Sequence, residues 1–224
     1  PNGSGKSTLL HAMTGLLPLS EGSLEVKGLE PEQARNDIAY VLQHMNVSPG
    51  TPMTVQEVVS MGRYSTLGVF RRARSADKEA VRDAMGLLRI EDLADRQVFR
   101  LSGGQRQRVF VAQALAQEHS LLLMDEPLTG LDIHSAQTID HIIHEEPARG
   151  CSVVFTTHDL EEARAADHVI LVNGYVVASG PPAEALSDQN LATAYGLGLL
   201  HPETPSSHGV IDDAHDTSHL HGGV

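Results

Sequence analysis

Positive charge is scarce in this chain of 224 residues: 16 Lys and Arg stand against 29 Asp and Glu, a formal net charge of −13. A surface so biased repels a phosphate backbone, which argues against DNA or RNA as a partner. Cysteine is scarcer still. The single one, Cys151, cannot close an internal disulfide, and it opens the apolar run 151–155, so a buried structural thiol is the expectation. No stretch approaches the ~18 apolar residues that a membrane span needs, and the first residues carry no basic segment followed by an apolar one. The expected location is cytosolic. With 41% hydrophobic residues there is enough apolar surface for a core, and one α/β domain with a smaller helical insert fits the length.

The order of elements can be read from periodicity. Residues 4–17 begin with a glycine-rich turn, continue with helical spacing of apolar side chains and stop before Pro18. Short strands are predicted at 22–26 and 38–43, separated by the turn-rich stretch 28–36. From 54 to 116 the pattern is helical, with Val55, Val58 and Val59 on one apolar stripe and Val81, Met85 and Leu88 on another. In that stretch Arg63, Arg71, Arg72, Arg74 and Lys78 read as a basic patch, either facing a partner or simply solvated. Buried strands are expected at 121–125, 152–156 and 169–172, with a helix starting at Ile133 between the first two. Strands alternating with helices imply a mainly parallel sheet with helices on its faces. Residues 196–224 are polar and rich in Ser, Asp and His, the composition of a flexible tail.

Three segments carry chemistry. Gly3-Ser4-Gly5-Lys6-Ser7-Thr8 matches the second half of a P-loop, in which backbone N–H groups and a helix N-terminus surround phosphate. Lys6 is placed to reach the β- and γ-phosphates, and Ser7 to offer a hydroxyl to Mg²⁺. The apolar strand 121–125 delivers two carboxylates at its polar end: Asp125 on the metal side and Glu126 as candidate general base. Leu101-Ser102-Gly103-Gly104-Gln105 opens the helical run 106–117 and offers a hydroxyl and bare N–H groups to an anion. A plain helix cap explains the serine and glycines, but not their place between a P-loop and an Asp-Glu strand.

On these motifs the chain resembles the nucleotide-binding domain of ABC transporters over residues 1–195. The resemblance implies a P-loop NTPase-type α/β fold with a helical signature subdomain at about 50–115. It also implies ATP and Mg²⁺ as cofactors. In that family the signature, here Ser102, Gly103, Gly104 and Gln105, contacts the γ-phosphate of ATP held by the opposite subunit, so a homodimer is expected. Asn2, Gly3, Ser4, Gly5, Lys6, Ser7 and Thr8 would form the P-loop. Gln43 matches the Q-loop glutamine that touches Mg²⁺ and the attacking water, Asp132 the D-loop, and His158 the switch histidine. Ser7, Gln43 and Asp125 are the expected Mg²⁺ set; Glu126, His158 and Gln43 are the expected catalytic set. The family further implies integral membrane permease subunits, indirectly an extracytoplasmic solute-binding protein, and a place at the cytoplasmic face of the membrane.

The stretches 54–64, 67–72, 93–97 and 180–186 look most like the branch that imports manganese, zinc or iron chelates. The expected cargo is a divalent metal ion; the alternatives are an iron chelate or another small solute, a degenerate subunit that does not hydrolyse ATP, or a translation or DNA-repair ATPase; the last usually carries paired cassettes or a long coiled-coil insertion. His201, His208, His215, His219 and His221 lie beside Asp212, Asp213 and Asp216 in the tail. That set is either a variable polar terminus or a metal-binding segment. The family also places a strand bearing an adenine-stacking aromatic, and a strand leading into the P-loop, upstream of the residues matched here. Without the latter strand the sheet is expected to leave backbone groups unpaired in its middle.

Overall fold

The structure is a computed structural model and describes residues 3–43, 48, 50, 52–64 and 73–196. Asn2, Arg71, Arg72 and the tail from 197 onward lie outside the described residues. No helix among the described residues is long and apolar enough to cross a membrane.

Three parallel strands form the central sheet in the order β1 (Ile38–Val41), β2 (Leu121–Asp125), β3 (Ser152–Thr156). β2 is paired on both sides, with Ile38 opposite Leu121 and Leu121 opposite Ser152, and every residue of it is buried. Its side chains alternate between two apolar clusters, as a pleated strand requires. Leu121 and Leu123 pack with Leu10 of α1 (Lys6–Met13), Ala34 of α2 (Pro31–Ala34), Val26 and Ile38. Leu122 and Met124 point the other way, into the larger cluster that holds Val109 and Val111 of α5 (Gly103–Ala116) and Ile139 and Ile142 of α6 (Ile133–Glu145). Helices therefore cover both faces of β2, and its fixed position aims Asp125 and Glu126 at the strand's C-terminal end.

The helical segment joins that larger cluster. Val55, Val58 and Val59 of α3 (Val55–Ser60) and Val81 and Met85 of α4 (Ser75–Leu87) are buried in it with Leu88, the stripes expected from their spacing. Thr54 caps α3 by accepting from the Glu57 N–H, and the Glu57 carboxylate accepts from the Thr54 N–H in return. The remaining elements are α7 (Leu160–Arg164), the antiparallel hairpin β4 (Val169–Val172) and β5 (Val176–Gly180), α8 (Pro182–Ala185) and α9 (Asp188–Tyr195).

Three expectations need correction. Residues 22–26 form no strand: Val26 makes only an isolated bridge with Leu29 across a tight turn, so the segment has no ladder to join. The strand 152–156 is not fully buried; among the described residues β3 pairs with β2 alone, and Val154 is 38% exposed. The apolar run predicts the strand, but its burial requires cover on the α1 side that no described residue supplies. Third, Arg63 is no part of a solvated basic patch. It is 7% exposed, with its Nε donating to Asp77 Oδ1 at 3.0 Å, one terminal nitrogen donating to the Ala116 carbonyl at 3.1 Å and the other to Glu118 Oε1 at 2.8 Å. A planar fork with acceptors on several elements holds a buried guanidinium that a lone partner would not. Arg74 and Lys78 are exposed, as expected.

Candidate functional site

The loop that feeds α1 has the backbone of an anion cradle. Gly3 and Gly5 take φ of 71° and 101°, and an added Cβ would meet nothing within 4 Å at either, so glycine is required there by conformation and not by crowding. The first turn of α1 carries no acidic side chain, leaving its N–H groups and dipole uncompensated toward an incoming anion. Ser4 is 3% exposed, and its hydroxyl finds no hydrogen-bond partner among the described residues. Its carbonyl accepts from the Gly174 N–H at 2.9 Å, which ties the loop to the β4–β5 hairpin turn. A buried hydroxyl without a partner beside positive-φ glycines suits a phosphate group better than any apolar ligand. Lys6 opens α1, followed by Ser7 and Thr8 in the same turn.

Glu126 is where the distant motifs converge. Gln43 donates its Nε2 to Glu126 Oε2 at 2.9 Å, and Thr129 its hydroxyl to the same oxygen at 3.3 Å. His158 Nδ1 stands 3.4 Å from that oxygen, and Lys6 Nζ is 3.6 Å from Oε1. Residues 120 positions apart in sequence thus meet on one carboxylate that is 10% exposed. Glu126 also has φ of 45°, a left-handed conformation that costs a non-glycine residue free energy and is retained where surrounding contacts impose it.

The contact that fixes Glu126 is one the motif reading did not single out. Thr156, at the end of β3, donates its hydroxyl to Asp125 Oδ1 at 2.5 Å and accepts the Glu126 N–H at 2.9 Å. One side chain therefore holds both carboxylate residues in register, since Asp125 pairs directly with Thr156 across the sheet. Asp125 itself is 4% exposed. Burial, with the charge of Asp125 adding to it, pushes the nearby Tyr40 phenol up to about 12, so Tyr40 stays a neutral neighbour. The only sequence signal for Thr156 is a threonine at the polar end of a strand adjacent to β2.

The signature forms a helix start. Ser102 caps α5 by accepting from the Gln105 N–H at 3.2 Å, and Gln105 Oε1 accepts from the Ser102 N–H at 3.1 Å. Gly103 is exposed, and a Cβ there would meet nothing. Gly104 differs: a Cβ would lie 2.4 Å from Asp132 Oδ2 and 2.5 Å from Ser135 Oγ, so only glycine admits the N-terminus of α6. Asp132 caps that helix, accepting from the Ser135 N–H at 2.9 Å and from its hydroxyl at 2.8 Å. These bonds, amide first, hold the Asp132 carboxyl below the usual carboxylate range, aided by Arg108. Ser102 and Gln105 thus spend their hydrogen bonds on one another, and Asp132 on Ser135. Lys6, Gln43, Glu126 and His158 form the other group, assembled directly around one carboxylate.

Comparison with known proteins identifies the family. The ABC transporter family profile matches residues 1–129. The zinc transport system ATP-binding protein TroB of Treponema pallidum is 39% identical over 217 residues, which are 96% of this chain and 81% of that protein. The manganese transport system ATP-binding protein MntB of Bacillus subtilis is 36% identical over 88% of this chain and 79% of its own length. Among solved structures, an inward-facing ABC transporter of metal-chelate type superposes with a TM-score of 0.76 at 31% identity, covering 88% of this chain and 76% of that one. A dimeric cassette in a post-hydrolysis state bound to ADP and Pi gives 0.69 at 28% identity, covering 81% and 82%. The chain belongs to the ABC transporter family and is one of its ATP-binding, ATP-hydrolysing cassettes.

Proposed function

We propose that this cassette powers the import of a divalent metal ion, manganese, zinc or iron, by hydrolysing ATP as a homodimer docked on membrane permease subunits at the cytoplasmic face. The observation that carries the catalytic half is the convergence of Lys6, Gln43, His158 and Thr129 on Glu126. The transported ion is read from the names of its relatives, zinc for TroB and manganese for MntB. The nucleotide-binding domain is taken as residues 1–195, with the helical subdomain at about 50–115, and an extracytoplasmic solute-binding protein delivers the ion to the permease.

In this reading Gly3, Ser4, Gly5, Lys6, Ser7 and Thr8, together with Asn2, wrap the phosphates. The partnerless Ser4 hydroxyl and the acid-free helix start fit that load. Ser7, Gln43 and Asp125 would hold Mg²⁺, which would supply positive charge to offset that of the phosphates. Lys6 leaves the Glu126 carboxylate for phosphate when ATP enters. Glu126 is then free to accept a proton from water as the water oxygen attacks the γ-phosphorus and the bond to the ADP oxygen breaks. Gln43 and His158 orient the attacking water and the γ-phosphate. Ser102, Gly103, Gly104 and Gln105 of the facing subunit close the site, with Asp132 at the boundary between subunits.

The test is ATP turnover with Mg²⁺, alongside metal uptake, for the wild type and Glu126→Gln assembled with their permease. Glu126→Gln should bind ATP, lose hydrolysis by several orders of magnitude and stop uptake. Hydrolysis at the parent rate in the variant sinks the catalytic assignment. Uptake of a ferric chelate in place of the free ions moves the cargo to the iron-chelate alternative, which the metal-chelate type of the superposed transporter favours.

A further inference from the structure

At the opposite end of the same strands from Glu126, three side chains of different chemistry meet. His119 precedes β2, Glu146 follows α6 in a 3₁₀ turn, and Cys151 precedes β3. One ligand atom from each, imidazole nitrogen, carboxylate oxygen and thiol sulfur, lies within 4.8 Å of the others. The side chains of His119 and Glu146 are only 6% and 5% exposed, and Cys151 is 6% exposed.

The tautomer is set by a second contact. His119 Nδ1 lies 2.7 Å from the Gln117 carbonyl, which can only accept, so Nδ1 carries a proton and donates it. In the neutral ring, Nε2 is then a bare lone pair. It is buried, finds no hydrogen-bond partner among the described residues, and sits 3.6 Å from Glu146 Oε2, which is also an acceptor. Two acceptors facing each other in a buried site are stable only with a proton or a metal cation between them. Glu146 Oε1 is already committed to Arg149 Nη1 at 3.0 Å, so Oε2 is the oxygen left for that cation.

We infer that His119, Glu146 and Cys151 form a binding site for a zinc-class transition ion, separate from the ATP site and from the metal the transporter carries. Tetrahedral bonds of roughly 2.0–2.3 Å put donor atoms about 3.3–3.8 Å apart. The His119–Glu146 separation of 3.6 Å lies in that range, and the sulfur has at most about 1.5 Å to move inward. Thiolate with imidazole and carboxylate favours zinc or cobalt over manganese or magnesium, which prefer oxygen. The Nδ1–H contact to a carbonyl is the outer hydrogen bond that metal-bound imidazoles use to hold their orientation. On binding, the thiol loses its proton to solvent and the ion ties the starts of β2 and β3 together. A proton on Nε2 is the competitor: burial opposes the imidazolium, but Glu146 and the Gln117 carbonyl outweigh it and raise the pKa of the ring.

The sole cysteine of the chain makes the test specific, because a cobalt–thiolate charge-transfer band can arise from Cys151 alone. Titrating the full-length cassette with Co²⁺ should produce that band at one equivalent, and Zn²⁺ should abolish it by displacement. Cys151→Ser should show no band, and His119→Gln and Glu146→Gln should weaken cobalt binding by at least about tenfold, with folding of each variant checked by circular dichroism. Even if a variant misfolds, absence of the band in the wild type still overturns the site. Absence of a band in the wild type, or a band of unchanged affinity in folded His119→Gln and Glu146→Gln, overturns the site in favour of a protonated His119 or an adventitious thiolate.

Discussion

Thr156 makes the sharpest test at the scale of one residue. Its hydroxyl is the shared partner of Asp125 Oδ1 and the Glu126 N–H, and valine would keep its shape while leaving a buried carboxylate and a buried amide without that bond. Hydrogen bonds to charged groups contribute about 1.5–3 kcal/mol. Thr156→Val is therefore expected to lower stability by about that amount in chemical denaturation and to lower kcat by at least an order of magnitude, while Thr156→Ser restores most of both. Asp125 and Glu126 were legible from sequence only in company: an apolar strand ending in two acids is common, and it is the P-loop and the signature in order before it that single this one out. Gln43, Lys6 and His158 were legible from their motifs. Thr156 was not, because its role follows from pairing register between β2 and β3, and one strand does not state which residue of another stands opposite it. The cluster of His119, Glu146 and Cys151 was likewise unreadable: Cys151 reads as a buried structural thiol, the other two are unremarked in their segments, and only folding brings their ligand atoms together.

Within the elements, two adjacent glycines separate packing from recognition. Gly104→Ala forces a methyl to within 2.4 Å of Asp132 Oδ2, so the start of α6 must shift, at a cost of about 1–3 kcal/mol. Gly103→Ala meets no atom and sits at the first position of α5, so thermal unfolding should be unchanged or slightly raised. If the open space above Gly103 receives the γ-phosphate of the facing subunit, that variant still loses ATPase activity. Melting curves and turnover on the two variants would tell packing from contact. The Arg63–Asp77 pair makes a pH-dependent prediction. The Arg74 N–H, 2.8 Å away, and the Arg63 guanidinium hold the Asp77 carboxyl below its ordinary range. Its pKa is lower in the folded than in the unfolded chain, so its contribution is complete above the unfolded value and fades as pH falls through the folded one. The urea midpoint gap between wild type and Asp77→Asn should be widest near neutrality and narrow toward about pH 3. The helical stripes of α3 and α4 were legible from spacing alone. Arg63 was misread because its acceptors come from α4, from the end of α5 and from Glu118, whereas its sequence neighbours suggest only a run of positive charge.

Across the whole molecule, the parallel pairing of 38–41, 121–125 and 152–156 and the two-sided cover of β2 follow from alternating apolar runs, and the structure has them; the strand expected at 22–26 is absent, and 169–172 pairs antiparallel in a hairpin of its own. Burial at the edge did not follow, because hydrophobicity reports what a strand would bury and says nothing of whether a neighbour is there to bury it. Among the described residues β3 has one partner and β4 has one, and Val154 and Ile170 on them are 38% and 52% exposed. Where no further strand lies against β3, an edge with apolar flanks can template pairing with another copy. What opposes it is the charge of −13, which makes each copy repel the next until salt shortens the reach of that repulsion to a few ångströms. The colloidal behaviour of the protein should therefore run against the usual salting-in: light scattering should rise between about 0.05 and 0.5 M salt, and Val154→Lys, a charge on the open edge, should flatten the rise.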